Sequence, residues 1–246
     1  MNEKLYDLLE VCLTRFKGRR FEVDRTVPFQ LLLGLMLRRG IWLLRGMLKG
    51  LVLQRRLVFV FLADGVTLRG ASLIRFGRGV TVERGVTMDG TMRQGIVLGD
   101  HVKIGPYSTL VGAPISNMGE GIRIGANSAV DAYSFLGSSG AIYVGENVIM
   151  GQHVCFHPEN HKFDRIDIPI KAQGTTRTGI TIEDDVWVGA NVTFLDGAYV
   201  ERGSIIGAGS LVRGKIPAYS VAVGSPARVI RSRNPKELVD ISSGGK

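Results

Sequence analysis

Apolar residues return at every sixth position through the last two thirds of the chain. From Ile182 the beat is unbroken through Val188, Phe194, Val200, Ile206 and Val212, with a small or β-branched residue four places on at Val186, Val192, Ala198, Ser204 and Ser210. Earlier stretches keep the spacing in threes: Phe76, Val82, Met88; Leu98, Ile104, Leu110; Ile124, Val130, Leu136; Val144, Met150, Phe156. A fixed short period decides architecture before local propensity does, because one repeat cannot bury its own apolar side and must stack on the next. Three short strands of about six residues each make a triangular coil with the opening aliphatic of every sextet turned inward. The regular sextets predict about six such coils between Gly65 and Leu211. At roughly 4.8 Å per coil the prism is on the order of 25–30 Å long. A charge at an opening position, as in Ile206→Asp, would be buried without a partner and is expected to unfold the stack. The one long interruption of the beat, Phe156 to Ile182, is where chemistry is expected.

The first quarter follows a different period. Leu5, Leu8, Leu9, Cys12, Leu13 and Phe16 fall at helical spacing and predict an amphipathic helix that Gly18 ends. Pro28 stands where a second helix can begin, and the run from Phe29 to Leu53 is leucine-rich with Arg or Lys every four to seven residues. Neither Phe29–Leu37 nor Leu57–Ala63 reaches the roughly 20 apolar residues that span a bilayer. Such a segment is read either as an interfacial helix among lipid headgroups or as a cap on the first coil. The predicted layout is a helical segment over 1–64, the repeat domain over 65–217 with its loop at 157–181, and a closing segment over 218–246.

Charge adds to this picture mainly at the N-terminus. The net charge is +9, and residues 1–62 hold twelve Lys/Arg against five Asp/Glu. Residues 28–62 carry Arg38, Arg39, Arg45, Lys49, Arg55 and Arg56 and no acid, so an anionic membrane would be felt there. The bases alternate with leucine rather than aromatics, which argues against a nucleic-acid partner. Two cysteines, Cys12 and Cys155, are too few for a disulfide framework and predict a reducing, cytoplasmic setting, peripheral to the membrane if the second helix docks. The 33 glycines suit corners placed at regular intervals. Met1 to Glu10 lacks the basic-then-apolar order of a cleavable signal.

Four segments carry a family resemblance. They are the Trp-bearing coil from Gly179 to Val192, the coil Ile206-Gly-Ala-Gly-Ser-Leu-Val, the tail from Ile216 to Arg231 with its Gly-Ser-Pro-Ala-Arg, and the loop Asn160-His-Lys-Phe-Asp-Arg-Ile-Asp-Ile-Pro-Ile. Together they resemble the hexapeptide-repeat acyltransferases, in the maltose and galactoside O-acetyltransferase branch, and most of all enzymes that acetylate capsule, exopolysaccharide and O-antigen sugars. The resemblance covers about residues 65–231. It implies a mostly β fold, a left-handed parallel β-helix of hexapeptide repeats behind the helical N-terminal segment. The period alone would favour the right-handed crossover general for parallel strands. It also implies acetyl-CoA as co-substrate, a sugar or glycan acceptor, no metal, and a homotrimer with sites between prisms.

The chemistry needs one acid–base group and one place for developing negative charge. Histidine suits the first near neutral pH, and His161 opens the irregular loop and matches the family's catalytic histidine. The resemblance assigns the oxyanion to the backbone N–H of Ala190, following the Trp-coil glycine. Counting back without gaps places the family's active-site asparagine at Asp131, which can hold an acceptor hydroxyl or be an ordinary sextet acid. Trp187 is expected to line the site, and Ala208, Arg213, Arg228 and Arg231 match the CoA-side positions. Arg213-Gly214-Lys215 departs from the usual Thr-Lys-Asp of that turn. Glu159 and Asp164 flank His161 and either orient its ring or are solvated. Cys155 is read as packing.

Other readings compete, among them a membrane-docked scaffold without chemistry, against which His161 beside an intact tail argues. Zinc carbonic anhydrases use the same prism with three histidine ligands, and His153, His157 and His161 recur every four residues, but that is not their ligand spacing. N-acetylation of an amino sugar needs the same base and groove as O-acetylation, so sequence separates the two poorly.

Overall fold

The computed structural model describes residues 2–17, 20, 22–54 and 59–234. Two helices, α1 (Asn2–Lys17) and α2 (Phe29–Gln54), precede a three-sided parallel β-solenoid of about seven turns. Gly18, expected to end α1, lies outside the described residues, as do Arg55 and Arg56. Strands join the first face from Phe61–Leu62 onward, and Ser220–Val223 is the last to add in parallel. The turn count exceeds the expected six because turns with irregular spacing close as well as the regular ones.

The sextet openings are the core. Val82, Ile104, Val130, Met150, Val188 and Ile206 run inward up the first face, and Met88, Leu110, Leu136, Phe156, Phe194 and Val212 up the second. Leu98, Ile124, Val144, Ile182, Val200 and Ile216 fill the third. Phe156 and Phe194 meet with ring centroids 4.8 Å apart. Each strand is bonded to the turns above and below, so the ladder of identical positions buries a continuous seam with its backbone satisfied. Buried serines close the corners: the hydroxyls of Ser204 and Ser210 donate to the carbonyls of Pro217 and Gly207.

The corner between the first and second faces turns through the left-handed region at Gly65, Gly85, Tyr107, Tyr133, His153, Asn191 and Gly209. Two places earlier stand Gly105, Gly151, Gly189 and Gly207. A Cβ at Gly189 would lie 2.5 Å from the Ala208 nitrogen. The glycine is therefore demanded by the backbone of the next turn.

Extra residues leave from a different corner. Residues 90–95, 113–121 and 158–179 all fall between a second-face strand and the next third-face strand, so the three excursions stack on one edge of the prism. Only the last stood out in the sequence.

Helix α2 covers the open N-terminal end. Arg45 donates to the carbonyl of Leu62 (3.1 Å), Lys49 to that of Val66 (2.8 Å) and Arg39 to the Thr81 hydroxyl (3.1 Å). Gly46 lets the helix close on Val60, whose carbonyl oxygen a Cβ there would overlap. Burial holds Arg39 and Lys49 below their ordinary pKa values. The opposite side of α2 shows Leu33, Leu37, Ile41, Leu44, Leu48 and Leu51 to solvent. Of the two sequence readings, capping is thus what α2 does within the chain. No helix among the described residues is long and apolar enough to cross a membrane.

Candidate functional site

His161 lies on a hairpin that springs from the edge bearing the excursions. Asn160–His161 pairs antiparallel with Thr175–Thr176, His161 opposite Thr175. Beyond it the amide of Lys162 donates to Gly174, and the Gln173 side chain clamps the tip, accepting from the Arg165 amide and donating to the carbonyls of Arg165 and Ile168. The returning strand is fixed by Asp196, one carboxylate oxygen of which accepts from the amides of Thr178 and Gly179, each at 2.8 Å. On this braced arm the His161 ring is exposed and makes no hydrogen bond among the described residues. Phe163, Ile166 and Ile170 also point to solvent, Ile166 completely.

Asp131, Ala190 and Ala208 lie elsewhere, on the corner between the first and second faces. Asp131 takes the register place that glycine holds at 105, 151 and 189. Its carbonyl accepts from the hydroxyls of Ser108 and Ser134, while its half-buried carboxylate makes no ion pair among the described residues. Two turns on, roughly 10 Å along the axis, the Ala190 carbonyl accepts from Gly209. The N–H groups of Ala190 and Ala208 find no acceptor among the described residues. Trp187 stands on the outer side of the first face between Ile149 and Ile205, 56% exposed.

The basic positions gather at the C-terminal end. Arg213 follows the last second-face strand and is exposed. Arg228 and Arg231 sit on Arg228–Ser232, which folds back antiparallel on Ser220–Val223. Arg228 donates to its neighbour Ala227, and none of the three forms an ion pair among the described residues. The structure thus brings Asp131, Ala190, Ala208 and Trp187 to one side of the second face, and holds His161 at the other.

The remaining histidines are spoken for. His153 stacks on Tyr133, which stacks on Tyr107, with centroids 5.3 and 5.4 Å apart, and His157 packs against Phe135. Among the described residues no three His, Cys, Asp or Glu side chains converge to hold a metal ion. Cys155 is half-buried between Phe135 and Thr193 on the outer side of the second face.

The sequence is similar to that of known hexapeptide-repeat proteins. The model of the family described as bacterial transferase hexapeptide (six repeats) matches residues 179–214. An Escherichia coli protein named "Putative lipopolysaccharide biosynthesis O-acetyl transferase WbbJ" is 30% identical over 136 residues, 52% of this chain and 69% of its own length. The chain belongs to the hexapeptide-repeat transferase family. A "Probable acetyltransferase" of Mycobacterium tuberculosis is 33% identical over 137 residues, 55% of this chain, and the match spans only 44% of that relative. The crystal structure of a hexapeptide-repeat-containing acetyltransferase from Vibrio cholerae has 27% identity and a TM-score of 0.47, covering 54% of this chain and 71% of that one. In this hexapeptide-repeat chain the segment matched by the family model contains Trp187, Ala190, Ala208 and Arg213. His161, Asp131, Arg228 and Arg231 lie outside it.

Two features of the site escaped the sequence. Glu159 faces Arg177 in an ion pair and makes no hydrogen bond to His161 among the described residues. Arg177 carried no signal beyond its place two residues before Gly179, where the sextet beat resumes. The Tyr107–Tyr133–His153 ladder was hidden because its members are 26 and 20 residues apart and become neighbours only through the coil.

Proposed function

We propose that this protein is an acetyl-CoA-dependent O-acetyltransferase acting on a sugar hydroxyl of a polysaccharide or a lipid-linked glycan precursor. The observation that carries the reading is an unpartnered imidazole, His161, displayed on a hairpin fixed at its tip and its return. His161 takes the proton of the acceptor hydroxyl as that oxygen attacks the thioester carbonyl. The oxyanion collects at the free N–H of Ala190. Collapse breaks the C–S bond, and His161 returns its proton to the departing thiolate, leaving an acetyl ester and free CoA. Asp131 accepts a hydrogen bond from the acceptor, and Trp187 lines the pocket. The open amide of Ala208 meets the pantetheine arm, and the unpaired Arg213, Arg228 and Arg231 attract its phosphates.

One chain separates His161 from the Ala190 corner by a whole prism face. The reading therefore includes a homotrimer in which the hairpin of one copy meets that corner on the next, with exposed Phe163, Ile166 and Ile170 as its apolar tip. It also sets the enzyme in the cytoplasm, the exposed stripe of α2 resting on the anionic inner face of the membrane. The test is CoA release from acetyl-CoA with a panel of sugars and lipid-linked glycans, the product read by mass. His161→Ala is expected to lose at least about 100-fold in turnover. Turnover near the wild-type value in that variant would remove His161 from the role.

A further inference from the structure

The hairpin that carries His161 is locked at its root by a clasp. Glu159 precedes and Arg177 follows the last paired rung at the root of the hairpin, Asn160 opposite Thr176. The Arg177 Nε–H donates to Glu159 Oε2, and the two side chains are only 17% and 24% exposed. Arg177 also reaches sideways: Nη1 donates to the carbonyls of Asn117 and Met118, both at 3.3 Å, in the excursion stacked beneath. One guanidinium thus joins both strands of the hairpin to the neighbouring loop.

Strand geometry says what the clasp can control. The paired strands are only Asn160–His161 and Thr175–Thr176, and Glu159 and Arg177 are the residues next to them at the root. The clasp therefore sits two residues from His161 on the same arm, and among the described residues its other bonds are to the carbonyls of Asn117 and Met118 in the stacked excursion. The exposed ring has no hydrogen-bond partner among the described residues to fix it, so its placement is inherited from the backbone of the arm. A reacting group displaced by about 1 Å can cost about 100-fold in rate.

We infer that Arg177, held by Glu159, is the positioning residue for His161: it fixes the angle of the arm and so the point at which the imidazole meets the acceptor hydroxyl. Neither residue touches the reacting atoms. The inference rests on His161 as the base, and the experiment separates the two. Arg177→Gln, Glu159→Gln, His161→Ala and the double variant Arg177→Gln/His161→Ala are compared in the full-length protein. The readout is CoA release from acetyl-CoA with galactose, glucose, maltose or glucosamine, or with water where no sugar turns over. Arg177→Gln is expected to lower kcat by about 10- to 100-fold, with the KM for acetyl-CoA within about twofold of wild type. The double variant should be no slower than His161→Ala alone, because a group acting through the imidazole has nothing to position once it is gone. Hydrogen exchange of residues 158–179 should rise in both single clasp variants while the solenoid strands keep their protection.

A wild-type kcat in Arg177→Gln, or losses that multiply in the double variant, would overturn the clasp and leave the role of His161 intact. Wild-type turnover in His161→Ala would overturn the base assignment instead. Should Arg177→Gln fail to fold, Glu159→Gln decides, since it keeps the shape of the pair, removes only the carboxylate charge and leaves the Arg177 bonds to residues 117 and 118 in place.

Discussion

Gly189 owes its identity to the turn above it, whose backbone nitrogen would stand 2.5 Å from any added Cβ. Gly189→Ala is expected to cost about 1–3 kcal/mol, seen as a lower thermal midpoint; an unchanged midpoint would mean the turns can part. Asp131 occupies the equivalent place two turns earlier with a carboxylate that meets no cation among the described residues. Asp131→Asn should leave the midpoint within about 0.5 kcal/mol of wild type and raise the KM for the acceptor. At this scale the sequence was readable wherever a residue's reason is periodic. The inward ladder from Ile182 to Val212 could be listed from spacing alone. Left-handed corners at Tyr107, Tyr133 and His153 could not, since nothing marks an aromatic residue as a turn former; it is the stacking of one ring on the next that accompanies that backbone. The Glu159–Arg177 pair was equally invisible, because a loop without a period gives no register.

Strands of the third face carry a charge ladder on their outer side. Lys215 donates to Glu201 at 2.7 Å, and Tyr199 donates to Glu183 at 2.6 Å. The bond from Lys215, then that from the Ala218 amide, holds the Glu201 carboxyl below its ordinary pKa, while the bond to Glu201 raises Lys215. The carboxylate's contribution is present above the unfolded carboxylate range and is lost as pH falls through the lowered folded value. The ammonium's contribution is present below the unfolded lysine range and is lost as pH rises through the raised one. The pair therefore supports the fold across the middle of the pH range and fails at both ends. Lys215→Met should make the urea midpoint less sensitive to acidification; equal slopes in both proteins would show that the pair does not contribute. Elements also explain a partial success of the sequence. The openings from Met88 to Leu98, Leu110 to Ile124 and Phe156 to Ile182 are all wider than six, yet only the last drew notice. Counting faces as well as gaps would have put all three on the edge that carries His161. For α2 the pattern gave an amphipathic helix but not which side turns inward. Arg45 and Lys49 proved to face carbonyls of the first turn and Arg39 the Thr81 hydroxyl, and the apolar stripe was left outside.

Taken whole, the described residues show a closed core and leave apolar surface at the hairpin tip and along the stripe of α2. If the first is met by another copy, light scattering should give about three times the 26.7 kDa chain mass, and Ile166→Glu should lower it. If the second meets lipid, the full-length protein should sediment with vesicles rich in phosphatidylserine, and Leu37→Glu with Leu44→Glu should release it. Sedimentation unaffected by those changes would reject the membrane contact. The capping of the solenoid has a consequence for its size. Every turn presents the same ladder to the next, so nothing in the repeat itself says where to stop. What stops it is α2 at one end, with Arg45 and Lys49 occupying carbonyls that another strand would use, and the reversed strand Arg228–Ser232 at the other. The lids set the length, and the repeat merely fills the distance between them. A whole turn spliced into the middle should give a taller prism with the same two ends, whereas stripping either lid would bare a strand edge ready to recruit a stranger.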